Sequence, residues 1–210
     1  MTARIIHDET DVAEGAAWLA RAEPRFAHVL ERAGPLPLRR HAGGFPGLLR
    51  TICGQQVSVA SADAVGTRVA GAGCVTPPRV AQEGEAGLRA LGLSRQKARY
   101  ACALAEAGLD FDALAAMPED EAVAALTSVK GVGVWTAEIY LMFSVGRADV
   151  FAAGDLALQE GARMLFELDT RPRDAALREM AAAWSPWRAV AARALWAYYA
   201  LEKGREGVTA

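Results

Sequence analysis

Apolar residues recur along this chain at three- and four-residue intervals, and runs that alternate apolar with polar are nearly absent. After Arg173, the positions Leu177, Met180, Ala181 and Trp184 share one helical face; after Pro186, so do Val190, Ala194 and Tyr198. Pro118 followed by Glu119, Asp120 and Glu121 reads as a helix start, with acids where the helix dipole favours them. Ser185-Pro186 reads as a cap followed by a first-turn proline. The pattern predicts an all-α fold. Gly/Pro-rich stretches at 34–46 and 71–78 read as loops, and Val145 to Asp155, with Gly146 and Gly154, as a further irregular segment. These breaks predict a central helical bundle over 45–147, containing a helix-hairpin-helix at about 119–143. Residues 1–44 and 148–210 are expected to form a second helical lobe, with the site in the cleft between the two.

Composition narrows the class. A chain of 210 residues that is 52% hydrophobic can bury a real core without disulfides or metal staples. Arg4, His7, Asp8 and Glu9 stand where a secretory leader would carry its apolar core, and no apolar run reaches membrane-spanning length. A cytoplasmic protein without a membrane partner is expected. Cys53, Cys74 and Cys102 are odd in number and unpaired in spacing, and His7, His28 and His41 are scattered. Neither set suggests a disulfide framework, an iron-sulfur cluster or metal-assisted chemistry. The net charge of −2 lacks the basic excess usual in nucleic-acid binders. A protein that grips phosphate with helix N-terminal amides needs fewer cations, so a local motif can outrank the global charge.

Such a motif is Leu126-Thr-Ser-Val-Lys-Gly-Val-Gly-Val-Trp-Thr-Ala137. It reads as a helix end, a Gly-x-Gly turn through Gly131 and Gly133, and a second helix whose first amides point at an anion. Taken alone, it reads first as an ordinary helical hairpin. Asp149-Val-Phe-Ala-Ala-Gly-Asp155 follows the second helix and ends in an aspartate, which alone would read as a helix cap.

Together with Ile52-Cys-Gly-Gln-Gln-Val-Ser58, Leu91-Gly-Leu-Ser-Arg-Gln-Lys97 and Trp184-Ser-Pro-Trp-Arg188, these segments resemble the helix-hairpin-helix DNA glycosylases, most of all the 3-methyladenine DNA glycosylase II branch. The likeness runs from about Phe45 to Tyr199. It implies Asp155 as the catalytic carboxylate and Trp135 and Trp196 as base-pocket walls, whose π faces can stack on a cationic methylated purine. It implies DNA contacts from Lys130, Gly131, Val132, Gly133 and Thr136, and Gln56 as the plug that fills the gap left by a flipped nucleotide. The backbone carbonyls of Thr127, Val129 and Val132 correspond to a monovalent cation site beneath the hairpin, for Na+ or K+; no other cofactor is implied. Trp184 and Trp187 are assigned to packing. Trp135 occupies the position of the lysine nucleophile of bifunctional relatives, and the cysteine cluster of the endonuclease III branch is absent, so a monofunctional enzyme is expected. Too few residues precede Phe45 for the β-rich domain that opens the best-known branch members, which implies the compact form. The expected activity is release of alkylated purines from damaged double-stranded DNA by a monomer. A non-catalytic DNA-binding hairpin module, or a glycosylase for oxidised or mismatched bases, are the alternatives.

Overall fold

The computed structural model describes residues 4–204. Among them are twelve α-helices and no strand; the extended backbone makes one isolated antiparallel bridge, between Ile5 and Arg147. The chain divides into two units, one running up to Arg40 and resuming at Leu141, the other comprising His41–Tyr140. Residues 141–147, assigned to the central bundle on sequence, therefore belong with the termini.

The internal unit holds α3 (Gly44–Gly54), α4 (Val59–Gly71), α5 (Pro77–Ala90), α6 (Arg95–Glu106), α7 (Phe111–Ala116), α8 (Glu119–Thr127) and α9 (Val134–Tyr140). Helix starts are marked by side chains that satisfy orphan amides: Ser58 Oγ accepts from Ser61 N, Ser94 Oγ from Lys97 N, and Asp110 from Asp112 N and Ala113 N. Leu48, Ile52, Val80, Leu88, Ala98, Leu104, Leu126 and Ala137 are withdrawn from solvent and form the core of this unit. The Tyr140 hydroxyl accepts from Gly44 N at 3.1 Å, tying the end of α9 to the start of α3.

The other unit is organised by α12 (Arg188–Lys203), against which α1 (Glu9–Ala22), α2 (Pro24–Ala33) and α10 (Leu156–Leu165) pack. The α12 stretch Ala189–Trp196 is buried throughout, and its small residues allow close approach. Two glycines on the facing helices complete that fit. A Cβ on Gly15 would lie 2.6 Å from the Trp187 ring, and one on Gly161 would lie 2.8 Å from the Leu195 carbonyl oxygen. Helix α10 thus rests directly on the α12 backbone, which decides where its N-terminus sits. Phe26, Phe151, Phe166 and Trp184 form an aromatic cluster with ring centroids 5.4 to 6.2 Å apart. Trp184 and Trp187 are both buried in packing. Helix α11 (Asp174–Ala181) and a 3-10 turn (Ala182–Trp184) lead into α12.

Ser185-Pro186 does not cap α12 as expected. The helix begins at Arg188 after Trp187, and the Ser185 hydroxyl instead donates to Asp149 at 2.8 Å.

Candidate active site and DNA-binding hairpin

In the internal unit, α8 and α9 enclose the turn 128–133. Burying the side chains of Val129 and Val132 draws this turn against the core, and Val132 N donates to the Val129 carbonyl at 3.0 Å. Gly131 has φ +93°, and a Cβ there would lie 2.1 Å from Cγ of Tyr100, so the tyrosine ring of α6 lies flat on bare backbone. Gln55, just past α3, donates through Nε2 to the Gly131 carbonyl and to Thr136 Oγ1, both at 2.9 Å. Three sequence segments thus converge on one turn.

The two hairpin glycines differ in kind. Gly133 has no positive φ, is exposed, and would meet nothing within 4 Å if it carried a Cβ. The permissive backbone expected of both belongs to Gly131 alone. At Gly133 a missing side chain matters only to something arriving from outside. Lys130 and Val134 are also exposed, so Lys130, Gly133 and Val134 form an open tip at the start of α9, where the first amides of a helix lack intrahelical acceptors. Thr136, expected to face DNA, is 3% exposed and its hydroxyl is engaged by Gln55; it braces the hairpin from inside. Val132 can likewise offer only backbone.

Behind the turn lies a pocket of about 290 Å³, bordered by Gln55, Gln56, Lys97, Tyr100, Gly131 and Trp135. Trp135 is half-buried and lines it. Lys97 donates to the Cys53 carbonyl at 2.7 Å, and partial burial lowers its pKa. Gln56 is exposed and holds φ +55°, a left-handed conformation unusual for a glutamine, which turns it out of the run of α3.

In the other unit, a π-helical turn (Leu141–Val145) closes with both Gly146 N and Arg147 N donating to the Leu141 carbonyl at 2.9 Å. The segment after it is pinned at several points. Ile6 N donates to Gly146 O, Ala148 N to Arg4 O and Ala189 N to Ala148 O, while Asp149 receives Arg188 at 2.7 Å. Buried Val150, Phe151, Ala152 and Ala153 complete it, and Asp155 N closes a turn on Ala152 O.

The segment delivers Asp155 to the N-cap of α10. Its Oδ1 accepts from Ala157 N at 2.9 Å, Leu158 N at 3.0 Å and the Trp196 indole Nε1 at 3.1 Å. The cap role is therefore real, and it fixes a half-exposed carboxylate in place rather than competing with chemistry at that carboxylate. Leu156 beside it is 62% exposed, an apolar surface next to an acid. Trp196, expected to offer a π face to the base, is only 1% exposed; its ring lies against Phe143 with centroids 5.7 Å apart and its N–H is directed at Asp155. Trp196 ends the stretch of α12 that is buried throughout, and Phe143 lies against its ring.

Sequence reasoning missed the roles of Gln55, Tyr100 and the Trp196 N–H. The one available signal was tryptophan itself within an apolar stretch, since a buried indole N–H requires an acceptor that the local sequence does not supply.

The described residues thus hold a helical hairpin with an open, glycine-bearing tip and, in the other unit, a carboxylate held by three N–H donors at a helix N-cap. The sequence profile described as HhH-GPD superfamily base excision DNA repair protein matches residues 49–188, two thirds of the chain. The chain belongs to the HhH-GPD superfamily. It is 26% identical over 204 residues to the alkylbase DNA glycosidase-like protein mag2 of Schizosaccharomyces pombe, covering 90% of this chain and 94% of that one. Its fold matches that of the S. pombe 3-methyladenine DNA glycosylase in complex with abasic DNA, with a TM-score of 0.77, 25% identity, and coverage of 90% and 97% of the two chains. The DNA-3-methyladenine glycosidase of Bacillus halodurans matches with a TM-score of 0.76 and 28% identity, over 97% of this chain and 95% of the other. Among the described residues, no helix is long and apolar enough to cross a membrane.

Proposed function

We propose that this protein is a monofunctional DNA glycosylase that hydrolyses the N-glycosidic bond of alkylated purines in duplex DNA, with Asp155 as its catalytic carboxylate. The observation that carries the reading is the anchoring of Asp155 by three N–H donors on one oxygen. Loss of a base leaves positive charge on the deoxyribose, and a carboxylate already oriented there stabilises that charge with no reorganisation at the moment of reaction; it also orients the attacking water. The similarity to proteins named for alkylated bases and 3-methyladenine supports the substrate class. A cationic methylated purine departs as a neutral base and asks for little general-acid help, which suits a site built around a single carboxylate.

The hairpin tip at Lys130, Gly133 and Val134 takes DNA phosphate through backbone amides, and exposed Gln56 fills the space left by the flipped nucleotide. Of the two expected base-pocket tryptophans, Trp135 is the one that keeps exposed surface and lines a pocket. A monovalent cation on the carbonyls of Thr127, Val129 and Val132 belongs to the same reading, with the Val129 carbonyl already accepting from Val132 N. Trp135 cannot form a Schiff base, so the product is an intact abasic strand. Hairpin and carboxylate lie on one chain, so a monomer suffices.

The test is a panel of duplexes carrying 3-methyladenine, 7-methylguanine, hypoxanthine, 8-oxoguanine or uracil, scored for free base. Release of the methylated purines first is expected. Release of 8-oxoguanine or uracil alone would overturn the substrate class, and release of no base would overturn the enzyme.

A further inference from the structure

Trp196 spans the interior of the terminal unit, with its ring on Phe143 and its N–H on Asp155. Two backbone amides of α10 already cap the aspartate, which satisfies the helix terminus without help from elsewhere. A third donor, from a residue 41 positions further along and nearly devoid of solvent contact, adds nothing that the cap requires. It does add direction. The two amides come from the first turn of α10 and hold Oδ1 from that helix, about a terminal bond whose sp³–sp² torsion is intrinsically broad. The indole N–H reaches the same oxygen from α12 and narrows that torsion further.

The scaffold is arranged so that this donor cannot drift. Gly161 lets α10 rest on the Leu195 carbonyl, one residue before Trp196, so the separation between the aspartate's helix and the indole's helix is set by backbone against backbone. On its other side, Phe143 leaves the π-helical turn against the Trp196 ring, and the Arg193 guanidinium sits 4.9 Å from the Phe143 ring centroid while donating to the carbonyls of Leu38 and Ala189. The indole is clamped between a stapled arginine-phenylalanine layer and the helix it serves.

We infer that Trp196 is a positioning residue for base excision: its indole N–H fixes the orientation of the Asp155 carboxylate, and the ring takes no part in recognising the base. The inference rests on Asp155 acting as the catalytic carboxylate. It separates two roles that aromatic residues near a base site can play. A stacking wall would weaken capture of cationic bases only. A positioning donor acts on the chemical step, for every leaving group, and solely through Asp155.

The experiment uses the full chain with two replacements at one position: Trp196→Phe, and the tryptophan isostere 3-benzothienylalanine, which keeps the bicyclic shape and replaces the N–H by sulfur. Single-turnover base release at saturating enzyme is measured on 7-methylguanine and hypoxanthine duplexes, with affinity for an abasic-analogue duplex and thermal unfolding as parallel readouts. Both replacements are expected to lower the single-turnover rate about 10- to 100-fold, the range that follows from losing one hydrogen bond to a charged group. The loss should be the same on both bases and should leave duplex affinity unchanged. In an Asp155→Asn background, the isostere should change the residual rate by less than about two-fold, because the two residues act as one unit. A full single-turnover rate for the isostere would overturn the inference, as would a loss confined to 7-methylguanine or an undiminished further loss in the Asp155→Asn background. Failure of the underlying reading gives a different result, namely Asp155→Asn alone retaining wild-type excision.

Discussion

Replacing either hairpin glycine by alanine adds one methyl group, yet the two substitutions should fail in different assays. At position 131 the alanine must hold φ +93°, in the region where a Cβ meets the next carbonyl, at a cost of about 1–2 kcal/mol. Its Cβ would also lie 2.1 Å from Cγ of Tyr100, against ordinary contact at 3.4 Å and beyond, so the ring must retreat by roughly 1.3 Å. Overpacking of that kind costs about 1–3 kcal/mol. The displaced ring hydrogen-bonds to Gln96, and the displaced turn carries the carbonyl held by Gln55, so neither can move alone. A total of about 2–5 kcal/mol, out of the about 5–15 kcal/mol by which folded proteins are held, lowers Tm by about 4–20 °C for a chain of this size. At position 133 the added methyl meets nothing within 4 Å and demands no unusual backbone. Stability should stay within about 0.5 kcal/mol of wild type. Affinity for damaged and undamaged duplex alike should fall about ten-fold or more, since a charge-assisted bond to phosphate is worth about 1.5–3 kcal/mol. Far-UV circular dichroism on heating and fluorescence polarisation with the two duplexes read the pair. A Gly131→Ala protein that melts with wild type, or a Gly133→Ala protein that binds undamaged DNA normally, would refute the assignment of these roles.

Asp155→Asn should abolish base release, with a loss of at least about 10²–10³-fold, while Tm and DNA binding hold, because asparagine caps a helix as well as aspartate does; near wild-type excision would remove Asp155 from the mechanism. Borohydride reduction during turnover should trap no covalent adduct with DNA, whereas an adduct would expose an amine nucleophile and end the monofunctional assignment. Burial pushes the Tyr140 hydroxyl up to about 12, so between pH 10 and 12 the folded chain binds more protons than the unfolded one and the contribution of Tyr140 to stability is lost as pH rises. Tyr140→Phe should therefore flatten the decline in denaturant midpoint across that window, at a neutral-pH cost of about 0.5–1.5 kcal/mol from the lost bond to Gly44 N; an unchanged slope would contradict this. Burial likewise raises the Cys53 thiol to about 11, so a thiol reagent near neutral pH should modify Cys53 only on unfolding, and prompt reaction of the native protein would show that α3 opens locally.

The sequence carried the features that depend on near neighbours. The acid-rich start of α8, the glycine turn, and an irregular stretch ending in an aspartate before an amphipathic helix are all written within a dozen residues of themselves, and each is found where its local chemistry put it. Features that depend on distant partners were not legible. Gly131 and Gly133 look alike in the string, and only the folded backbone, with positive φ at Gly131 and Tyr100 of α6 packed on it, distinguishes them. Ser185 has the form of a cap, but a longer-range acceptor, Asp149, takes its hydroxyl. The resemblance puts Thr136 and Trp196 at a ligand surface, and both are turned inward by partners 81 and 41 residues away. Periodicity predicts which face of a helix is buried; it does not say what the polar atom on a buried side chain will find there.

The π-helical turn makes chain length itself a determinant of the site. Five residues, Leu141–Val145, occupy a wider turn than the α-helix before them, and its closure places two successive amides on the Leu141 carbonyl while presenting the Gly146 carbonyl to Ile6. Removing one of the five would return the stretch to the ordinary repeat and leave the chain beyond it nearly in phase, because the wider turn fits one more residue into a single revolution. Adding one has no such turn left to take it up, and would carry the Gly146–Ile6 and Ala148–Arg4 pairings out of phase, and with them the stretch that ends at Asp155. A residue added to the loop before α3 merely lengthens a connection. Insertions, more than substitutions, are thus the changes this part of the chain is least able to absorb.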